Sequence, residues 1–203
     1  MRHCVVMGRG GGGRDDGGPL LVLVTGVPGT GKSTVAGVVG RHLDAAVLGH
    51  DWVMSGLRPF PAIQVVLDGM EPSGHGVVGW SIMNALARAQ LRQGRSVVLD
   101  GVARVTEIEQ CRGTAGQEAV RCVVVATRCS DGAVHRGRIE GRRREIPDWY
   151  EVEWDQVERS AARWTEPRGA DLHLDTVAGE DVIASRVRSY FGGLVGRDPP
   201  SDP

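Results

Sequence analysis

The sequence predicts an α/β domain in which a five-stranded parallel sheet carries helices on both faces, and three observations lead there. Short, almost wholly apolar runs alternate with stretches of helical periodicity, the pattern of a parallel sheet whose crossovers are helices. The first run, Leu20-Leu21-Val22-Leu23-Val24, leads into Gly26-Val27-Pro28-Gly29-Thr30-Gly31-Lys32-Ser33-Thr34, a complete G-x-x-x-x-G-K-[ST] phosphate-binding pattern set between strand and helix. Two later runs end on carboxylates, Asp51 after the second strand and Asp100 at the end of the third. Right-handed crossovers bring these strand ends and the phosphate loop to one rim, where open α/β sheets bind ligands.

Each element has its own signal. In the first helix Val35, Val38, Val39 and Leu43 form an apolar face, and Gly37 and Gly40 weaken it but permit close packing. Ala45-Ala46-Val47-Leu48 is the second strand, ending at Gly49-His50-Asp51, with a short helix over Trp52–Leu57. Arg58 to Gly76 is rich in proline and glycine with poor periodicity, apart from the apolar Ile63–Leu67; it is expected to be a long loop covering the substrate. Val78, Ile82 and Leu86 mark the next helical face, which Gly94 ends.

Ser96–Asp100 is the third strand, and Thr106-Glu107-Ile108-Glu109 reads as a capping box opening a helix. Arg121–Ala126 is the fourth strand, and Ser130 can cap a helix running into Gly141-Arg142-Arg143-Arg144. Pro147-Asp148, with Glu151 three residues on, is expected to start another helix reaching about Arg163. Asp171–Asp175 forms the fifth strand and Val182–Phe191 the closing helix. Residues 20–191 thus read as one domain between a Gly-rich tail, 1–19, and a second tail, 192–203, both expected to be disordered.

Composition narrows the function classes. With 203 residues and a formal net charge of −1, the chain has no global basic field to draw it to nucleic acid or an anionic membrane, so any such partner needs a local patch. Cys4, Cys111, Cys122 and Cys129 show no C-x-x-C spacing, which argues against a zinc site or a disulfide framework and for a reducing, cytoplasmic setting. No apolar run approaches a membrane span, and the N-terminus lacks the apolar core of a secretory signal. Oligomeric state leaves no mark in the sequence.

The chemistry concentrates on the rim. Gly26 to Thr34 cradle the phosphates of a nucleotide, Lys32 adds a full charge near the β- and γ-phosphates, and the Ser33 hydroxyl suits a magnesium ion. After the fourth strand stands Thr127-Arg128-Cys129-Ser130 rather than Asn-Lys-x-Asp, so ATP is preferred to GTP, and Arg128 is counted among the nucleotide-binding residues. Asp100 has the form of the acid that holds magnesium through water, a turn residue being the alternative. Asp51 can orient and deprotonate an acceptor hydroxyl, or else cap the helix beginning at Trp52. Arg138 and Arg142 are spaced i, i+4, so that both guanidiniums can meet one transferring phosphoryl group, whereas Arg143 and Arg144 are expected on a solvated face. Trp149, Tyr150, Trp154 and Trp164 are expected to pack a lid helix on the sheet, with stacking on a base or aromatic acceptor as the alternative.

The phosphate loop, Asp51, Val98-Leu99-Asp100-Gly101 and Arg138-x-x-x-Arg142 together resemble the P-loop kinases of the AAA_33 type, whose relatives include polynucleotide 5′-hydroxyl kinases, chloramphenicol phosphotransferase, gluconate-type kinases and zeta toxins. The resemblance spans about residues 20–191. It implies the P-loop NTPase fold, ATP and magnesium, a closing lid and a base at Asp51. Met54 stands where polynucleotide kinases are similar in carrying an arginine, which weighs against nucleic acid as the acceptor. The expectation is an ATP- and Mg2+-dependent transfer to a hydroxyl of a small molecule, with a polynucleotide or nucleotide kinase, or an ATP-binding regulatory module, as alternatives.

Overall fold

The computed structural model describes residues 18–71 and 74–195. Of the two expected tails, residues 1–17 and 196–203 lie outside the described residues.

Five strands, β1 (Leu20–Thr25), β2 (Ala46–Gly49), β3 (Val97–Asp100), β4 (Arg121–Arg128) and β5 (Leu172–Asp175), form one sheet in the order β2-β3-β1-β4-β5. Every pairing is parallel. The alternation along β1 shows how the sequence builds two layers. Leu20, Val22 and Val24 face α1 (Lys32–Leu43) and the last helix, which carries Phe191, whereas Leu21 and Leu23 face Trp80, Met83, Ile108 and Cys111 on the opposite side. Strands buried on both faces have no use for a polar alternate residue, and β1 has none before Thr25.

The helices α2 (His50–Ser55), α3 (Pro61–Asp68), α4 (Gly74–Leu91) and α5 (Val105–Gln117) come next in the chain. The expected loop from Arg58 to Gly76 is therefore largely helical. Pro61 sits at the start of α3, where its fixed φ suits a first turn, and Gly69 ends it. Only Leu67 of α3 is buried, while Val65 and Val66 are exposed, so the helix left no periodic trace. In α4 the buried face is Trp80, Met83, Ala87 and Leu91, not the expected Val78, Ile82 and Leu86; Leu86 is exposed. A mean apolar character all round α4 hides which stripe faces the sheet. In α5 the Glu107 carboxylate accepts from the Arg104 N–H at 2.7 Å, so the helix starts before the expected Thr106 box.

Three more helices follow among the described residues: α6 (Gly132–Gly141), α7 (Trp154–Arg163) and α8 (Glu180–Val195). Asp131, not Ser130, caps α6, accepting from the Ala133 and Val134 amides at 2.9 and 3.0 Å. The α7 helix begins at Trp154 rather than at Pro147-Asp148, because Glu151 is engaged elsewhere: it accepts from the Arg144 amide at 2.8 Å. Residues 142–153 consequently form an irregular strap between α6 and α7, with a turn at Pro147-Asp148. The last helix runs past Phe191 to Val195, so residues 192–195, expected as tail, are helical. Among the described residues no helix is long and apolar enough to cross a membrane. Cys111, Cys122 and Cys129 are free, and burial pushes the Cys111 thiol up to about 12, which makes it a packing residue.

Candidate active site

The strand order explains the site. β1 ends at the phosphate loop, β3 lies beside it with Asp100 opposite Val24, and Gly49 of β2 is in register with Asp100. The loop, Asp100 and the His50-Asp51 pair are thereby set side by side along one rim. They open onto a cleft of about 790 Å³ whose lining includes Lys32, Ser33, Asp51, Asp100, Arg142 and Arg144.

The phosphate loop is held from behind by hydroxyls. Thr30 Oγ1 donates to the Val27 carbonyl at 2.8 Å and lies 2.9 Å from Thr127 Oγ1, and Thr176 Oγ1 donates to the Thr30 carbonyl at 3.1 Å. A Cβ at Gly26 would stand 2.4 Å from the Thr127 carbonyl oxygen, a distance that admits only glycine. Gly29 has φ +86° and lies against His135, whose Nε2–H donates to the Pro28 carbonyl at 2.7 Å. No side chain caps the first turn of α1 and no acidic residue sits in it, so its N–H groups face outward with their partial positive charge free for an anion. Lys32 Nζ donates to the Val27 carbonyl at 3.0 Å. Burial pulls its ammonium below the ordinary lysine range, against the opposing pull of Asp100 and Asp51.

Asp100 carries a buried Oδ1 without a hydrogen-bond partner among the described residues. Burial pushes its carboxyl above the ordinary range, partly countered by Lys32 and by the Ser33 hydroxyl. An unsatisfied carboxylate oxygen beside a serine hydroxyl and the phosphate cradle fits a magnesium ion; Ser33 and Asp100 would hold it, and it would supply charge neutralisation to phosphate oxygens. Among the described residues there is no cluster of three His, Cys, Asp or Glu to bind a metal independently of a phosphate. A carboxyl whose pKa is raised on folding destabilises the folded state at neutral pH and ceases to do so as pH falls through the raised value. Asp100→Asn is therefore expected to raise the Tm of the ligand-free protein while removing magnesium-dependent activity. Thermal unfolding beside an activity assay checks both, and an unchanged or lower Tm would contradict the reading of Asp100 as an uncompensated charge.

Asp51 stands in the first turn of α2, whose N-cap is Gly49 with no side-chain cap bond, so the carboxylate does not serve as the helix cap. Its Oδ1 is 3.7 Å from His50 Nδ1, and its Oδ2 accepts from Arg144 Nη1. Burial would raise its pKa, but the adjoining His50 and the Arg144 guanidinium outweigh that and hold it below the usual carboxylate range. Met54, one turn on, is buried against Gly79 of α4, so that position contributes to packing rather than to the cleft.

The arginines are where sequence and structure part. Arg138 and Arg142 do not share a helical face, because α6 ends at Gly141 and Arg142 is extended, at φ −92° and ψ 150°. Arg138 turns to the far side of the phosphate loop and donates to Thr176 Oγ1 and O at 2.8 and 2.6 Å. Arg142 enters the cleft, where its Nε is buried without a partner among the described residues. Arg144, expected in solvent, is only 16% exposed and pairs with Asp51 and Glu151; Arg143 is exposed as expected. Arg128 lies outside the cleft, 60% exposed and 3.4 Å from Asp175. Of the aromatics, Trp149 and Tyr150 stack on each other at 5.0 Å and line the cleft rather than the core. Trp154 meets His135 edge-on, and Trp164 Nε1 donates to the Ala103 carbonyl at 2.9 Å. Arg144, His50 and His135 escaped sequence reasoning; for Arg144 the only trace was Glu151 seven residues on.

Comparison with known proteins places this geometry. The family described as AAA domain, AAA_33, matches residues 21–167. A UPF0200 protein of Aeropyrum pernix is 36% identical over 97 residues, 44% of this chain and 50% of that protein, so the match spans about half the length of that relative. A gluconokinase from Sinorhizobium meliloti superposes with a TM-score of 0.64 at 16% identity, over 88% of this chain and 95% of that one. Chaetomium thermophilum Kti12 in complex with ADP-AlF3 superposes with a TM-score of 0.65 at 18% identity, over 86% and 98%. At such identities these structures speak for the fold, which is that of the P-loop NTPases.

Proposed function

The chain belongs to the AAA_33 family of AAA domains, and from that membership and the cleft we propose that it is a kinase, dependent on ATP and Mg2+, that transfers the γ-phosphoryl group to a hydroxyl of a small molecule. The observation that carries the proposal is that one cleft joins Lys32 on the phosphate loop, the unsatisfied Asp100 and the ionised Asp51. Phosphoryl transfer asks a protein mainly for positioning and charge stabilisation, which these groups provide. Gly26 to Thr34 hold the triphosphate, Arg138 braces the loop from its far side through Thr176, and Arg128 stays paired with Asp175 outside the cleft. Ser33 and Asp100 hold magnesium, Lys32 and Arg142 face the transferring group, and Asp51 takes the acceptor's proton. A wholly buried Met54 leaves no cationic reader there for a nucleic-acid acceptor.

The test is a screen of metabolite, nucleoside and antibiotic pools with γ-labelled ATP, with mass identification of what gains the phosphoryl group. Label that leaves ATP only as free phosphate would favour a nucleotide-dependent regulatory module instead.

The geometry also separates the arginines. Arg142→Ala is expected to lower kcat by about tenfold or more, because its guanidinium, whose buried Nε has no partner among the described residues, meets charge that develops during transfer. Arg138→Ala should raise the KM for ATP with a smaller change in kcat, since it ties α6 to the Thr176 loop beside the phosphate cradle. Arg143→Ala should change neither. Equal kcat losses at all three positions would replace specific contacts by a diffuse field.

A further inference from the structure

We propose that His135 is a positioning residue for the nucleotide: its imidazole fixes the orientation of the Pro28-Gly29 peptide and so aims the Gly29 N–H at a phosphate, an inference that rests on the nucleotide-binding half of the kinase reading above. Val27 to Thr30 form a tight turn, closed by the Thr30 N–H donating to the Val27 carbonyl at 3.3 Å. Pro28 takes its second position and Gly29, at φ +86°, its third, the signature of a type II turn. Type I and type II turns differ by a half-rotation of the middle peptide. Both accept proline second, and a glycine third can adopt the φ of either. The residues of the turn therefore leave the direction of its middle N–H open.

The choice is made by α6. His135 Nε2 donates to the Pro28 carbonyl at 2.7 Å, and since a carbonyl only accepts, Nε2 carries the proton. In a planar trans peptide the N–H points opposite to the C=O, so a carbonyl held at His135 turns the Gly29 N–H away from α6. That N–H donates to no backbone carbonyl among the described residues, which leaves it for a ligand. The same arrangement recurs one peptide further on. Thr176 Oγ1 donates to the Thr30 carbonyl at 3.1 Å, and Arg138, one turn along α6 from His135, holds Thr176. A flipped middle peptide would turn a carbonyl oxygen toward the phosphates in place of a donor, setting like partial charges against each other. The imidazole is itself fixed: it is 9% exposed, meets Trp154 edge-on at 5.2 Å, and lies where a Cβ on Gly29 would stand 2.8 Å from its Nε2. A side chain that only filled this space would need no donor, whereas the imidazole supplies one at the carbonyl that sets the turn.

The experiment uses the full chain with Mg2+ and AMPPNP, followed by calorimetry, and needs no acceptor. Met and Gln have nearly the same length, but only Gln offers an N–H where Nε2 stands. His135→Met is expected to weaken AMPPNP binding by about tenfold or more and His135→Gln by about threefold or less. Arg136→Gln, which alters the next residue of α6 at its contact with Trp154, should match the wild type. Unchanged circular dichroism shows that a variant is folded. In the wild type the Gly29 amide proton resonance should move strongly when AMPPNP is added, and in His135→Met it should move less. Equal affinity in His135→Met and wild type, equal losses in His135→Met and His135→Gln, or a wild-type Gly29 amide that nucleotide leaves in place would overturn the proposal. The last of these measurements decides even where His135→Met fails to fold. A wild type that binds no AMPPNP would bring down the kinase reading together with this one. ATP turnover without any phosphorylated product, with the affinities ordered as expected, would end the kinase reading alone and leave His135 in its role.

Discussion

Asp51→Asn is expected to lower phosphoryl transfer by about 10²–10⁴ while leaving ATP affinity nearly unchanged. The substitution keeps the size of the side chain and one acceptor oxygen, yet it cannot take a proton. The wild-type carboxylate is ionised well into acid, because His50 and Arg144 outweigh the effect of burial. Activity should therefore lose its Asp51-dependent limb only at a pH below the ordinary carboxylate range. Stability carries the same sign: a carboxyl with a lowered folded-state pKa stabilises the fold above its unfolded value near 3.9 and stops doing so as pH falls through the lowered one. Nucleotide affinity measured beside product formation decides the matter. Normal transfer by Asp51→Asn would move the base to Asp100, the next carboxylate along the rim.

The sheet was legible because burial on both faces writes each strand as an uninterrupted apolar run, and because the phosphate loop marks where β1 ends. Because right-handed crossovers put the carboxyl ends of parallel strands on one rim, the sequence already pointed to Lys32, Asp51 and Asp100 lying side by side, as they do in the cleft. What failed were inferences that depend on where a helix stops. Arg138 and Arg142 satisfy i, i+4 spacing only if α6 continues through Arg142, and two glycines, Gly137 and Gly141, leave its end weakly specified. Arg144 was assigned to solvent because a charge run usually is; its contacts to Asp51 bridge 93 residues of sequence and have no local signal. α3 escaped because its apolar residues mostly face outward, so neither period nor burial marks them.

Lys32→Ala should reduce turnover by about 10²–10³ or more and leave the fold intact, since the side chain makes one hydrogen bond, to the Val27 carbonyl, and its charge is disfavoured by burial. Lys32 is also the single lysine of the chain, every other side-chain cation of that class being arginine. The lowered pKa leaves more of its amine unprotonated at neutral pH than in a solvated lysine, so an amine-directed reagent should modify the wild type at Lys32 apart from the α-amino group. Magnesium and ATP should protect it, because a phosphate seated in the cradle occupies the ammonium and restores its charge. In Lys32→Ala the protectable label should vanish together with activity, while circular dichroism and Tm stay at or above wild-type values. Labelling of Lys32 that ATP does not slow would remove the triphosphate from the phosphate loop; a marked loss of Tm in the variant would show instead that the lysine holds the loop together through Val27.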